Sequence, residues 1–581
     1  ECMEKVYSIT GRKYDLFDYY GAADAEKIIV IMGSGAEAVE ETVDYLNARG
    51  EKTGVIKVRL YRPFMTDAFL AKIPETVKYI SVLDRTKEPG AIGEPLYIDV
   101  CTALRNSPIT ILGGRYGMGS KEFTPTMIGA IYKNMGGANK NHFTVGINDD
   151  VSFTSLPEDE FINASPKSAI RCKFYGLGSD GTVGANKNSI KIIGDHTNKY
   201  AQAYFQYDSK KSGGITISHL RFGNEPIKSS YLIDQADFVA CHTPSYIYRY
   251  DMLSSLREGG TFLLNSIWSP EEMDTMLPAE VKNIIAKKKI KFYTLDGNKV
   301  ISAIGATKGV NTVMQAAFFK LSQVIPYEDA ERYMKDAIKK TYGKKGDAVV
   351  NMNLACVDGA IEHLKEVKYP ESWATTTEGT PMVALADNEY FRDVVHPILT
   401  MEGDKLPVSK FNADGTVPVG TSKYEKRGIA VSVPLWIKEN CIQCNQCSFV
   451  CPHATIRPVL ATAEQLKDKP ASFETKPANG FKDYQFRVQV SPYDCTGCGS
   501  CANTCPAKQK ALVMKPVAEM IESDAANWDY AMTLPETDKV YKADSIKGSQ
   551  FNKPLFEFSG ACAGCGETPY VKLVTQLFGD R

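Results

Sequence analysis

Ten of the fifteen cysteines lie in the last quarter of the chain, at spacings that could support metal chemistry. Two four-cysteine runs share one form: two residues separate the first three cysteines, three residues precede the fourth, and a proline follows it. The runs are Cys441, Cys444, Cys447, Cys451 with Pro452, and Cys495, Cys498, Cys501, Cys505 with Pro506. Cysteines clustered in this way in a long chain indicate metal binding rather than a disulfide scaffold.

The two runs have the spacing of two-cluster bacterial ferredoxins, in which thiolates hold [4Fe–4S] clusters. In that arrangement the fourth cysteine of each run binds the cluster of the other run, so we predict two complete clusters with crossed ligands. The predicted sets are Cys441, Cys444, Cys447 and Cys505 for the first cluster, and Cys495, Cys498, Cys501 and Cys451 for the second. Structural zinc sites also use four cysteines, but at other spacings.

A further pair, Cys562 and Cys565, carries less information than the two runs. Half of a zinc site, a redox-active dithiol and half of a third cluster are all compatible with it. A cubane needs four ligands, so a third cluster would take its other two from beyond residue 581. The five isolated cysteines fit small buried hydrophobic positions.

A glycine-rich segment between a strand-like and a helix-like run could bind a phosphate. Its glycines are Gly176, Gly178 and Gly181. Glycines permit a tight turn and the amides at a helix start bind phosphate, so the segment favours a phosphate-bearing cofactor. Asp180 would repel a pyrophosphate unless it points away, while Lys210 and Lys211 next to Asp208 favour an additional phosphate over a bare ribose diol. Coenzyme A therefore fits as well as NAD, and a tight packing turn is the alternative without a ligand.

The elements around these motifs alternate between apolar strands and helical periodicity over residues 1–365, which predicts parallel sheets with helices on both faces. Residues 366–436 are rich in Pro, Thr, Gly and Asp and predict an extended connector. We therefore expect a multidomain α/β protein, with two parallel-sheet α/β domains, the connector, and a bacterial-type two-cluster ferredoxin domain of the α+β class.

Charge and hydropathy exclude several classes of protein. Lys and Arg number 68 against 69 Asp and Glu, so no basic excess points to nucleic acid. No apolar run reaches the roughly 18 residues of a membrane helix. Hydrophobic residues make up 43% and aromatic residues 10%, which excludes general disorder. We expect neither nucleic acid nor a membrane as a partner.

Taken in order, the motifs resemble the pyruvate:ferredoxin (flavodoxin) oxidoreductases, a family of 2-oxoacid:ferredoxin oxidoreductases. The resemblance is carried by residues 175–187, 207–216, 218–223 and 560–570, together with the two cysteine runs. It implies oxidative decarboxylation of pyruvate with coenzyme A to acetyl-CoA and CO2. It also implies that electrons pass through [4Fe–4S] clusters to ferredoxin or flavodoxin, with thiamine diphosphate and Mg²⁺ in the intact enzyme.

The resemblance also implies roles for particular residues. Coenzyme A would contact Gly178, Ser179, Asp180, Gly181, Thr182, Lys210, Asn311 and Asn353. Cys562 and Cys565 would supply two of four ligands to a third cluster, and Glu567 would lie against thiamine diphosphate. The catalytic residues stay unknown, since the family's pyruvate-binding domain and most of its thiamine domain have no counterpart in this sequence.

The resemblance further predicts domains and setting. The expected domains are 1–165, transketolase-C-terminal-like α/β; 166–365, coenzyme-A-binding α/β; 366–436, connector; 437–520, 2[4Fe–4S] ferredoxin; and 521–581, the start of a thiamine diphosphate-binding domain. We expect an interior piece of a longer protein, inactive towards pyruvate by itself and homodimeric when intact. The expected compartment is the cytoplasm, or the hydrogenosome-type organelle of an anaerobic protist.

Two other functions are compatible with parts of the sequence. The first is an NAD-linked iron–sulfur electron-transfer module with Asp208 on the ribose, although no flavin site is apparent to divide electron pairs. The second is a non-catalytic electron store, against which the glycine-rich segment argues. Binding of coenzyme A, of NADH or of neither would separate the three hypotheses.

Overall fold

The computed structural model describes residues 1–306, 309–383, 385–537 and 540–579. Two α/β units, a loosely structured connector and a cysteine-rich unit follow one another along the chain. The prediction of a multidomain α/β protein is therefore confirmed. The individual domain boundaries given above stay predictions.

The first α/β unit is built on a six-stranded sheet. Its elements are α1 Cys2–Thr10, β1 Phe17–Gly21, β2 Lys27–Met32, α2 Gly35–Asn47, β3 Thr53–Val58, α3 Thr66–Leu70, β4 Tyr79–Asp84, α4 Pro95–Ala103, β5 Thr110–Arg115, α5 Pro125–Asn134 and β6 Phe143–Thr144. The strand order is β1-β3-β2-β4-β5-β6, and only β1 runs antiparallel to its neighbour. After Lys27, strand β2 is an unbroken apolar run with four buried residues, as expected where helices cover both faces.

The second α/β unit contains a seven-stranded sheet. Its elements are β7 Ile170–Leu177, α6 Thr182–His196, β8 Tyr200–Tyr207, β9 Ile215–Gly223, β10 Ala236–Cys241, β11 Leu256–Asn265, α7 Met273–Met276, α8 Ala279–Lys287, β12 Lys291–Leu295, α9 Gly297–Ala303, α10 Val310–Ser322, α11 Tyr327–Tyr342, α12 Asp347–His363 and β13 Lys365–Glu366. The strand order is β13-β12-β11-β10-β7-β9-β8.

This second sheet is mixed rather than purely parallel. Strands β7, β10, β11 and β12 are parallel, whereas β9 is antiparallel to both β7 and β8. The reason is the connection: residues 208–214 form a short hairpin loop, and only a longer crossover can return a strand in the parallel direction. The hairpin places residues 208–214 beside the end of β7, where the glycine-rich segment begins.

The connector and the cysteine-rich unit complete the chain. Their elements are α13 His396–Leu399, β14 Ser432–Trp436, α14 Gln446–Phe449, β15 Ile456–Thr462, β16 Lys476–Pro477, β17 Tyr484–Val490, α15 Ser500–Thr504, β18 Leu512–Pro516, α16 Val517–Thr533, α17 Ile546–Ser549 and α18 Thr568–Phe578. The connector lies along the first unit, where Ser409 donates hydrogen bonds to Asp150 from its amide and its hydroxyl. None of the helices in the described residues has the length and apolar character that a membrane span needs.

A group of phenylalanine rings forms part of the core of the second unit. Phe318 of α10 makes edge contacts with Phe174 of β7 and Phe238 of β10, with ring centroids 5.0 and 5.3 Å apart. All three side chains are buried, so α10 is fixed against the strand that leads into the glycine-rich segment. Burial of a phenylalanine of this kind stabilises a fold by several kcal/mol.

Replacement of Phe318 by alanine should therefore destabilise the second unit by about 3–5 kcal/mol, because it leaves a cavity between α10 and the sheet. Hydrogen exchange of amides in β7 and β10 measures this locally, which a multidomain chain requires. Tyr204→Ala on β8 is the matched control, since that ring is 59% exposed. Equal protection in the two variants would contradict the assignment.

Candidate iron–sulfur and nucleotide sites

The eight cysteines of the two runs separate into two groups of four. One enclosed space is lined by Cys441, Cys444, Cys447 and Cys505, together with Trp436, Val488 and Leu512. A second is lined by Cys451, Cys495, Cys498 and Cys501, together with Ile456 and Val490. The structure thus brings together the same crossed sets that the spacing suggested, and the ligation itself stays a prediction.

The loops that carry the cysteines repeat one backbone conformation. Gln443 and Asn445 in the first run, and Gly497 and Gly499 in the second, all have positive φ between 60° and 75°. The amides of Gln443 and Gly497 donate to the sulfurs of Cys441 and Cys495, both at 3.4 Å. Amides directed at sulfur are among the features that set cluster potentials.

Side-chain hydrogen bonds hold the first loop in a conformation that glycine adopts freely in the second. The side-chain nitrogen Nε2 of Gln443 donates to the carbonyl of Pro477 at 2.8 Å. The side-chain nitrogen Nδ2 of Asn445 donates to the carbonyl of Lys547 at 2.9 Å. Both side chains are buried. The first cysteine loop is therefore fixed by contacts with segments far along the chain.

The donor sets fit a cluster better than a single ion. Among residues 1–306, 309–383, 385–537 and 540–579, no three His, Cys, Asp or Glu side chains converge on one ion-sized point. Each set of four thiols instead surrounds an enclosed, mainly apolar space, as the ligands of a multi-atom cubane must. Burial raises the pKa of Cys495 to about 12 and that of Cys447 well above its usual value. Cluster binding must therefore release protons from these thiols.

The pair Cys562 and Cys565 lies beside the second group of four. A Cβ placed on Gly564 would be 3.5 Å from the Cβ of Cys498, and Nε2 of His453 is 3.3 Å from the carbonyl oxygen of Cys562. Cys562 is exposed, and Cys565 precedes helix α18. The backbone amides of Thr568 and Glu567 lower the pKa of Cys565, which favours its thiolate.

The glycine-rich segment is closed by Asp180, whose carboxylate points back into its own loop. It accepts hydrogen bonds from the amides of Leu177 and Thr182 at 3.0 and 2.7 Å, and from the Thr182 hydroxyl at 2.8 Å. The Asn311 side chain donates to the carbonyl of Asp180 at 2.5 Å, and its oxygen lies 3.1 Å from the Thr182 hydroxyl oxygen. Asp180 and Asn311 therefore shape the loop, and the carboxylate is turned away from an approaching anion.

Lys210 lies at the junction of three segments. Its ammonium pairs with Glu425 of the connector at 3.1 Å, and both side chains are largely buried. The hairpin loop that carries Lys210 also receives a hydrogen bond from the amide of Gly178 to the carbonyl of Gly214 at 2.7 Å. On its other side, the Lys211 amide donates to the carbonyl of Gly560 at 3.0 Å. The loop thus joins the glycine-rich segment to the turn of residues 562–565, which we call the Cys562 turn.

Two predicted residues lie outside this arrangement. Asn353 is on α12, where its side chain donates to the Val349 carbonyl of the same helix at 2.8 Å. Glu567 is exposed at the start of α18. Among the hydrogen bonds and ion pairs of the described residues, none connects either side chain with the glycine-rich loop.

Four family models match consecutive parts of the chain. They are described as pyruvate:ferredoxin oxidoreductase core domain II (residues 25–128), pyruvate ferredoxin/flavodoxin oxidoreductase (171–363), a domain of unknown function (376–430) and a 4Fe–4S dicluster domain (440–509). A pyruvate:ferredoxin oxidoreductase of Moorella thermoacetica is 59% identical over all of this chain and 50% of its own length. A pyruvate-flavodoxin oxidoreductase of Enterobacter agglomerans is 52% identical with the same coverage.

The chain belongs to the pyruvate:ferredoxin/flavodoxin oxidoreductase family. It spans about half the length of the curated relatives it matches. A solved structure of the pyruvate oxidoreductase subunit PORC from Thermotoga maritima covers 35% of the chain and 100% of its own length, at 18% identity and a TM-score of 0.28. The match to the dicluster model supports two iron–sulfur clusters in this family member.

Residues 376–430, which match the family model for a domain of unknown function, form one wall of a cavity of about 760 Å³. The opposite wall includes Lys210 and Tyr246 of the second unit. The Tyr246 hydroxyl and Nη2 of Arg427 are buried without a hydrogen-bond partner among the described residues. Sequence reasoning missed Tyr246, Glu425 and Arg427, because no local spacing connects residues so far apart along the chain.

The crossed grouping of the thiols leads to a reciprocal pair of variants. Cys505→Ala should remove the cluster bound by Cys441, Cys444 and Cys447 and leave the other, while Cys451→Ala should do the reverse. Iron analysis and electron paramagnetic resonance of the reconstituted chain would measure this as a loss of about four of eight irons. Cys356→Ala, an isolated buried thiol, is the control. If Cys505→Ala instead lost the cluster bound by Cys495, Cys498 and Cys501, crossed ligation would be disproved.

Proposed function

We propose that this chain is the electron-transfer and coenzyme-A-binding part of an enzyme that oxidises pyruvate. The reaction would convert pyruvate and coenzyme A to acetyl-CoA and CO2, and would pass two electrons to ferredoxin or flavodoxin. The single observation that carries the proposal is the continuous contact from the glycine-rich loop, through residues 208–214, to the Cys562 turn and then to Cys498. Family membership supports the substrate.

The cysteines would hold the clusters in a fixed order. When bound, [4Fe–4S] clusters carry single electrons. Cys562 and Cys565 would provide two ligands of a third cluster, next to the set that contains Cys498, and the set that contains Cys441 would lie farthest away. The apolar lining of both spaces would exclude water from the clusters, which is one determinant of their potentials.

Coenzyme A would bind at the glycine-rich loop. Asp180 and Asn311 would fix the conformation of the loop, and Lys210 would exchange its partner Glu425 for a phosphate oxygen. Asn353 would contribute only if α12 approached the loop more closely than it does here. Thiamine diphosphate with Mg²⁺ would complete the active centre beside Glu567, in a homodimeric enzyme.

The NAD-linked alternative depends on Asp208 as the ribose acceptor. In the structure one oxygen of this carboxylate accepts hydrogen bonds from the Ser209 hydroxyl and the Lys210 amide, both at 3.3 Å. That oxygen is therefore engaged within its own turn, which counts against Asp208 as the ribose acceptor.

Calorimetric titration of the chain with coenzyme A and with NADH distinguishes the two ligands. We expect coenzyme A to bind and Lys210→Ala to weaken binding by about 1–2 kcal/mol, roughly a 5- to 30-fold rise in Kd, because one charge-assisted contact is lost. Lys211→Ala is the matched control, since it removes the same charge from an exposed neighbour. Tighter binding of NADH, or unchanged affinity in Lys210→Ala, would refute the assignment.

Activity towards pyruvate needs a separate measurement. The chain, combined with the regions that its longer relatives have in addition, should reduce viologen with pyruvate only when coenzyme A, thiamine diphosphate and Mg²⁺ are present. Turnover that does not require coenzyme A would contradict the proposed reaction, whatever the titration shows.

A further inference from the structure

Helix α18 has an inverted distribution of polar and apolar residues. It buries Thr568, Lys572 and Gln576, which follow one another at intervals of four and share one face. It exposes Tyr570 and Phe578, with 72% and 81% of their surface accessible. An ordinary surface helix would bury its apolar face, whereas the buried stripe of α18 makes hydrogen bonds to the cysteine-rich unit and to residues 550–552.

Lys572 is the charged member of this stripe and is 1% exposed. Its ammonium donates to the carbonyls of Ser448, Phe449 and Cys451, the last two at 3.3 and 3.2 Å. Three acceptors use all three protons of an ammonium group, whereas a neutral amine has only two. Among the described residues no carboxylate forms an ion pair with this side chain. The positive charge is therefore balanced only by peptide dipoles and by whatever negative charge the cysteines carry.

The acceptors of Lys572 belong to the short segment that joins the two cluster sites. Cys447, inside α14, belongs to the first set of four thiols, and Cys451, two residues after that helix, belongs to the second. Arg457, another cation nearby, is already paired with Glu557. Burial lowers the pKa of Lys572 to about 8, and negative charge on Cys451 and Cys447 opposes that shift while Arg457 adds to it. Both cluster sites therefore act electrostatically on the same ammonium.

We propose that Lys572 raises the reduction potentials of both iron–sulfur clusters by holding one positive charge between them. Reduction adds one electron, and hence one negative charge, to a cluster, and Lys572 exchanges no proton in the step. A cation in a buried, weakly screened position stabilises the more negative state. The inference rests on the clusters and not on coenzyme A or pyruvate, so it can fail while the proposed function stands, and the reverse.

The test is a potentiometric titration of the full 581-residue chain after reconstitution, followed by electron paramagnetic resonance. Lys572→Met removes the charge and keeps the length of the side chain. We expect the equilibrium constant for reduction of each cluster to fall about tenfold, which is a 59 mV lower potential for a one-electron couple. Lys572→Arg should retain the native potentials to within a small fraction of that shift.

Two further variants keep the test decisive. Gln576→Leu removes buried hydrogen bonds to Asn552 and Gln550 from the same helix without a change of charge, and should leave both potentials unaltered. Lys572→Gln retains N–H donors for the carbonyls and serves if methionine prevents assembly. Native potentials in a neutral variant with eight irons would overturn the proposal, and so would an equal shift in Gln576→Leu.

Discussion

The antiparallel pairing of β14 with β18 is the constraint on which the cysteine-rich unit depends. Five residue pairs, from Ser432–Pro516 to Trp436–Leu512, join the strand before the first cysteine run to the strand after the second. The ends of a segment of about 75 residues are thereby brought together, and the entropy of that closure must be offset by burial and by cluster binding. Cys505 can approach Cys441 only because this ladder forms.

The same unit shows how polar groups are tolerated next to the cluster sites. Gln443, Asn445 and Lys572 are all buried, and each donates to backbone carbonyls of a distant segment. An unpaired buried donor would cost about 1–3 kcal/mol, so these hydrogen bonds make one arrangement of the segments much more stable than the others. Strands β15 and β17 add a seven-pair ladder, from which Val488 lines the first cysteine-lined space and Ile456 and Val490 line the second.

The cysteine motifs could be predicted from the sequence, whereas contacts between residues far apart in the chain could not. The grouping of the cysteines could be predicted from their spacing, because the short loops between them restrict the directions in which the thiols can point. The apolar pattern does not predict strand β9, since His219 and Arg221 interrupt it. Both are buried: the Ile233 amide donates to His219, and Nη1 of Arg221 donates to the Gln202 side chain. Glu425 and Lys572 likewise acquire their contacts only when segments far apart in the chain pack together. No periodic pattern in the sequence predicts those contacts.

The hairpin loop at residues 208–214 touches the nucleotide site on one side and the Cys562 turn on the other, where Ser212 accepts a hydrogen bond from the Ala563 amide at 2.8 Å. A contact of this kind provides a route for thermodynamic linkage. The coupling free energy by which ligand binding at Lys210 affects the Cys562 turn must equal the one by which the turn affects ligand binding. If Cys562 and Cys565 hold a cluster, a ligand that alters the electron affinity of that cluster would itself be bound more or less tightly, by an equal factor, once the cluster was reduced.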